Sequence, residues 1–177
     1  MNRTRSSGLR LLSAYAMLLL MPLLVIGGEL KWKKFEAGFE EAKKSNKKIM
    51  LDVYTDWCGW CKKLDKDVYG NDKVSEYLSQ QYVSIKLNAE SGARLKFDAT
   101  EYTEAQLAQA FGITGYPAII FFDSNGQPLD KISGYMPAND FLPVLKYFGE
   151  DFYKNTSWPD FKKTYDAEAT AKPKKKK

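Results

Sequence analysis

The chain has 177 residues, 44% of them hydrophobic and 14% aromatic, which suits one domain with a core of its own and excludes global disorder. Its net charge of +5 is an effect of the ends: eight of the 27 basic residues lie in residues 1–10 and the last six, leaving 19 against 22 acids, about −3 for the body. That body carries no basic-aromatic binding motif, so nucleic acid is not an expected partner.

The first ten residues hold Arg3, Arg5 and Arg10 and no acid; a 16-residue apolar run, LLSAYAMLLLMPLLVI, follows, then Gly27 and Gly28. This order predicts a secretory signal peptide or an uncleaved membrane anchor over residues 1–28. The run contains Pro22 and is short for a span, and Val25-Ile26-Gly27 departs from the A-x-A form of a cleavage site. Either outcome puts the body across a membrane, where disulfides persist.

KWKKFEAGFEEAKKSNKK places Phe35, Phe39 and Ala42 on one face of a charged helix. KIMLDVYT reads as a buried strand, and CKKLDKDVY, after the cysteine stretch, as helix. Asn71 or Asp72 can cap a helix over DKVSEYLSQQ, and YVSIKLN is a second strand. SGARLKFDATEY reads as an irregular connection before a capping box, Thr103-x-x-Gln106, which starts the helix EAQLAQAF. The loop GITGYP leads to a third strand, AIIFF; the turn DSNG then joins it to a fourth, PLDKISG, as a hairpin. PANDFLPVLKYF is a helix that tolerates Pro143, and the aromatic segment 150–170 adds a further helix. Lys-rich residues 171–177 read as a solvated end, with attraction to an anionic membrane or acidic partner as the sharper alternative. The expected architecture is α/β: a central mixed sheet flanked by helices.

The only cysteines, Cys58 and Cys61, lie in DWCGWCK. As a staple the pair closes a tiny loop and gains little chain entropy. As a metal site it lacks partners, because the chain has no histidine and no second Cys-x-x-Cys. The redox reading fits the placement. Cys58 at a helix start meets unpaired N–H groups that favour a thiolate, the attacking sulfur. Cys61, one turn on, can displace it from a mixed disulfide and is expected to be the more buried.

Strand, Cys-x-x-Cys, helix, then Asp52 in the strand, Lys86 in IKLN, Pro117 in GYPAIIFF and Gly134 after the last strand together resemble the thioredoxin superfamily over about Lys48 to Phe148. With the leader and WCGWCK, the chain looks like an exported thioredoxin-related protein. It is also similar to the C-terminal thiol domain of bacterial membrane electron transporters. The resemblance implies a thioredoxin-like domain over residues 29–149. It makes Cys58, Cys61, Asp52 and Lys86 the catalytic residues, with Asp52 helping the resolving thiol lose its proton beside Lys86. The alternative for Asp52 is a strand-edge carboxylate paired with Lys86. Substrate contacts are implied at Trp57, Gly59, Trp60, Tyr116, Pro117 and Gly134, with a cis bond before Pro117. Trp57 and Trp60 could equally be ordinary core and surface aromatics.

The expected activity is reduction of protein disulfides in a bacterial periplasm. The Cys58–Cys61 disulfide serves as the redox group without a further cofactor or metal. Expected partners are disulfide-containing clients and a membrane thiol donor, with the protein a monomer. No histidine separates the cysteines, which tilts the reading towards a reductant. A disulfide oxidase or isomerase and a non-catalytic binding or chaperone module are the alternatives.

Overall fold

Among the described residues seven strands organise the chain: β1 (Trp32–Lys33), β2 (Lys48–Tyr54), β3 (Tyr82–Asn88), β4 (Arg94–Phe97), β5 (Thr100–Thr103), β6 (Ala118–Phe122) and β7 (Pro128–Ser133). They are described here from a computed structural model, which covers residues 30–171. The expected leader over 1–28 and the tail from residue 172 lie outside the described residues.

Five strands join in the order β1-β3-β2-β6-β7. Strand β3 runs parallel to β1 and β2, while β6 runs antiparallel to both β2 and β7, so the sheet is mixed. Strand β2 lies at the centre and is buried on both faces, which is why its sequence is almost continuously apolar. Its alternation still sorts side chains between two cores. Ile49, Leu51 and Val53 face one core with Val83, Ile85, Leu87, Ile120 and Phe122. Met50 faces the other with Ile119 and Phe121, and Asp52 shares that face by register with Lys86 and Ile119.

Helix α1 (Phe35–Ser45) covers the first face through Phe35, Gly38 and Ala42. It is joined there by α4 (Glu104–Ala110), started by the expected reciprocal capping box of Thr103 and Gln106. On the second face, α2 (Gly59–Leu64) runs into a π-helical turn over Asp65–Tyr69, closed by the Gly70 N–H on the Asp65 carbonyl at 3.0 Å. Asn71 caps α3 (Asp72–Gln81) by accepting from the Lys73 and Val74 N–H groups. Helix α5 (Ala138–Gly149) buries Phe141, Val144, Leu145 and Phe148, with Pro143 inside it. Each such apolar side chain contributes about 1.5–3 kcal/mol on burial. The aromatic extension forms a 3₁₀ turn (Phe152–Lys154) and α6 (Trp158–Ala171). It docks on α5 through Phe161 and Trp158 against Tyr147, whose hydroxyl donates to the Thr156 carbonyl at 2.7 Å.

Two features depart from the sequence expectation. The stretch read as an irregular connection contains the β4–β5 hairpin, turned by Asp98 and Ala99 at φ 48° and 63°. Both central residues sit in the left-handed region that a tight hairpin turn needs, without the usual Asn-Gly or Asp-Gly pair. The hairpin is anchored because Leu95 is buried and Phe97 packs among Phe35, Phe39, Phe111 and Phe122. Strand β1 was not expected either; it is two residues long and pairs only with β3.

Strand β7 is an outer strand with Pro128, Asp130 and Lys131 exposed. Lys131 Nζ donates to the Phe111 and Gly112 carbonyls at the end of α4. Among the described residues, no helix is long and apolar enough to cross a membrane.

Candidate active site around Cys58 and Cys61

The cysteine pair sits where β2 gives way to α2. Cys58 is the N-cap residue of that helix, its own N–H donating to the Thr55 carbonyl at 3.1 Å. The two sulfurs are joined as a disulfide, with 5.3 Å between the Cα atoms. The Cys61 N–H, one of the donors a helix start leaves unpaired, points at Cys58 Sγ at 3.0 Å. Cys61 was expected to be the more buried, but both residues are 3% exposed. In this disulfide-bonded state the two residues are equally enclosed.

Exposed aromatics flank the buried pair. Trp57 is 67% and Trp60 58% exposed, large apolar surfaces beside a reactive bond. Tyr116 braces Trp57 edge to face at 6.0 Å, while the indole N–H donates to Glu90 Oε1 at 2.8 Å. Tyr135 lies 5.4 Å from the Trp60 ring, and the Lys63 ammonium lies over the Tyr135 ring at 5.5 Å. The Tyr116–Pro117 bond is cis. The Pro117 carbonyl accepts from the Gly134 N–H at 2.8 Å. Gly134 has φ 90°, a conformation that side chains rarely adopt. A Cβ added at Gly59 would meet nothing within 4 Å, so that position is open towards solvent.

Beneath the helix that carries Cys61 lies a charged cluster. Asp52 is 1% exposed and pairs with Lys86 Nζ at 3.3 Å. It lies on the central strand and not at a sheet edge, and it is both buried and paired there. Burial pushes the Asp52 carboxyl up from 3.8 to about 6, partly opposed by Lys86 and reinforced by Asp65. Lys86 also binds Asp65 Oδ1 at 2.5 Å, so one ammonium is shared between a buried and an exposed carboxylate. Three rings surround it: Trp32 at 4.7 Å, Tyr54 at 4.9 Å and Tyr69 at 6.0 Å. Asp52 Oδ1 and the Tyr69 hydroxyl are buried without a hydrogen-bond partner among the described residues. Burial, then the neighbouring carboxylates, holds the Tyr69 phenol well above its usual range. The described residues contain no cluster of three or more His, Cys, Asp or Glu suited to a metal ion.

The structure therefore links Trp57, Tyr116, Pro117 and Gly134 to one another and pairs Asp52 with Lys86, while Trp60 contacts Tyr135 and Gly59 stands open. Asp65, Tyr69, Trp32, Glu90 and Tyr135 were not singled out from the sequence. Asp65 and Tyr69 follow Cys61 at successive intervals of four, a helical spacing that could have marked them. Trp32, Glu90 and Tyr135 carry no such local mark.

Comparison with known proteins agrees with this geometry. The family of the thioredoxin-like domain matches residues 35–149. The thiol:disulfide interchange protein DsbD of Yersinia pestis (strain Pestoides F) is 34% identical over 107 residues, 59% of this chain and 16% of that protein. DsbD of Colwellia psychrerythraea is 36% identical over 113 residues, 60% of this chain and 17% of that protein. The chain thus spans only about a sixth of the length of these curated relatives. Among solved structures, a thioredoxin-fold protein from Helicobacter pylori superposes with TM-score 0.57 at 23% identity, covering 70% of this chain and 82% of that one. A thioredoxin from Thermus thermophilus does so with TM-score 0.56 at 17% identity, covering 68% and 88%. At these identities the two structures speak to the fold. With its mixed sheet, its cis-proline loop and its Cys-x-x-Cys pair at a helix start, the chain belongs to the thioredoxin-like domain family.

Proposed function

We propose that the protein is an exported thiol-disulfide oxidoreductase that reduces disulfides in client proteins. The observation that carries this reading is the Cys61 N–H held 3.0 Å from Cys58 Sγ, a donor already aimed at the sulfur that would bear negative charge once reduced. In the reduced protein, the Cys58 thiolate attacks one sulfur of the client disulfide; a Cys58–client bond forms and the other client sulfur leaves as a thiolate. Cys61 then gives its proton to Asp52 and attacks Cys58 Sγ, releasing the second client sulfur. The client gains two electrons and, from Asp52 and water, two protons, and the Cys58–Cys61 disulfide is restored. No further cofactor takes part.

Asp52 suits the proton role because it is buried and its carboxyl is raised to about 6, near the working pH of such a base. Lys86 limits that rise. Exposed Trp57 and Trp60 give an extended client segment an apolar seat, with Gly59 leaving the sulfurs approachable and Tyr116, Pro117 and Gly134 forming the opposite wall. Export is read from residues 1–28, as a cleaved signal or as an anchor, and a bacterial periplasm is the compartment that fits it. Regeneration there requires a membrane dithiol donor, and one copy of the chain is sufficient for the cycle.

The test is turnover of a model disulfide. Reduced protein is expected to cleave the interchain disulfides of insulin, Cys58→Ser to abolish this, and Cys61→Ser to accumulate client mixed disulfides. A protein that leaves insulin intact has lost the reductase reading. A reduction potential near that of a strong oxidant, about −120 mV, would reverse the direction, whereas about −270 mV supports it.

A further inference from the structure

Lys86 is held by more than the two carboxylates. Its ammonium binds Asp65 at 2.5 Å, closer than Asp52 at 3.3 Å, and Asp65 is 44% exposed. Asp65 offers the ammonium a hydrated partner, and a move wholly to it would leave the buried acid without its counter-charge. What opposes that departure is the indole of Trp32. Its ring centre lies 4.7 Å from Lys86 Nζ, nearer than Tyr54 or Tyr69, and it packs edge to face on Tyr69 at 5.1 Å. Trp32 owes its place to the shortest strand of the sheet: it is in register with Ser84, two residues before Lys86 and on the same face. A two-residue strand that pairs with β3 alone buries little by itself, yet it sets a large ring over the Lys86 ammonium.

We propose that Trp32 is a positioning residue for the site, its indole face fixing the Lys86 ammonium between Asp65 and Asp52 so that the buried carboxylate keeps its counter-charge. The proposal rests on the reading of Asp52 as the proton-handling group. The groups that face Asp52 are Lys86 from β3, Asp65 and Tyr69 from the π-helical turn, and Tyr54 further along β2, itself influenced by Asp56 and Glu104. Without the ring, Lys86 follows Asp65 into solvent and its hold on Asp52 weakens. Asp52 then keeps its proton to higher pH, and transfer from Cys61 is available over a narrower range.

The test reads the Asp52 carboxyl directly, by NMR titration of the oxidised full chain, so failure of the reductase reading would leave it intact. In Trp32→Ala, the midpoint is expected to rise by about half a pH unit. Trp32→Leu, which keeps apolar bulk but no ring face, should rise likewise, and Trp32→Phe should return towards wild type. In a Lys86→Met background, Trp32→Ala should add no further rise, because the cation it acts through is gone. Should Trp32→Ala prove unstable, the Leu and Phe pair carries the comparison. An unchanged or lowered midpoint, no recovery with Phe, or an equal rise with and without Lys86 would overturn the proposal. A lowered midpoint would mean that the ring serves only to exclude water, and an equal rise that it acts through Tyr69.

Discussion

The two faces of the central sheet are made by alternate residues of the same strands, yet they bury different things. Under α1, α4 and the hairpin, every buried strand residue is apolar, from Ile49, Leu51 and Val53 on β2 to Phe122 on β6. Under α2, α3 and α5, the floor starts apolar with Met50 and Phe121 and becomes charged one step along β2, where Asp52 lies beside Lys86. One face is built for cohesion. The other gives up some cohesion at the end where the cysteine helix begins, in exchange for a group that can hold and release a proton. Because side chains alternate along a strand, the costly residue is inserted on one face without disturbing the other.

The sharpest way to break this contrast is to damage the apolar face alone. Phe122→Ala, at a fully buried site ringed by Phe39, Phe97 and Phe111, should cost about 4 kcal/mol in denaturant unfolding. The reduction potential of whatever remains folded should hold; a large change in potential would mean that the faces are not independent.

Asp52→Asn tests the charged face, with a smaller effect of opposite sign. Its carboxyl is raised from 3.8 to about 6, so the folded chain holds this proton more tightly than the unfolded one. The stability it contributes is present below about pH 3.8 and lost as pH rises through about 6. Between pH 4 and pH 7 the variant should gain about 2 kcal/mol relative to wild type, seen as diverging unfolding curves. A constant difference across that range would mean that Asp52 is not raised. The smallest effect returns to the apolar face. A Cβ at Gly38 would lie 2.4 Å from Ile85 Cδ1, so Gly38→Ala should cost about 1–2 kcal/mol in the same measurement despite its better helix propensity.

What could be read from the sequence follows the same division. The apolar strands, the Thr103–Gln106 cap and the cysteine helix announce themselves through local pattern, and each is where the spacing predicts. The β4–β5 hairpin does not, because its turn uses Asp98-Ala99 and its strands RLKF and TEYT are held by distant aromatics and by Glu36, whose carboxylate accepts from the Lys96 N–H. A two-residue strand has no period to detect, so β1 and Trp32 stay silent until β3 is in place. The cluster around Lys86 draws on β1, β2, β3 and the π-helical turn at once; only the Asp52–Lys86 part was legible, through family resemblance. Equal burial of Cys58 and Cys61 could not be read from spacing, which does not show how the surrounding loops cover them.

Strand β7 leaves one margin of the sheet without a strand partner among the described residues, the kind of border on which a stray strand can seed a fibril. Its composition works against that. Pro128 has no N–H to offer, Asp130 and Lys131 set charge along the rim, and the Lys131 side chain is drawn aside to the end of α4. A rim that refuses to pair with extended polypeptide keeps strand addition away from this margin of the thioredoxin-like domain.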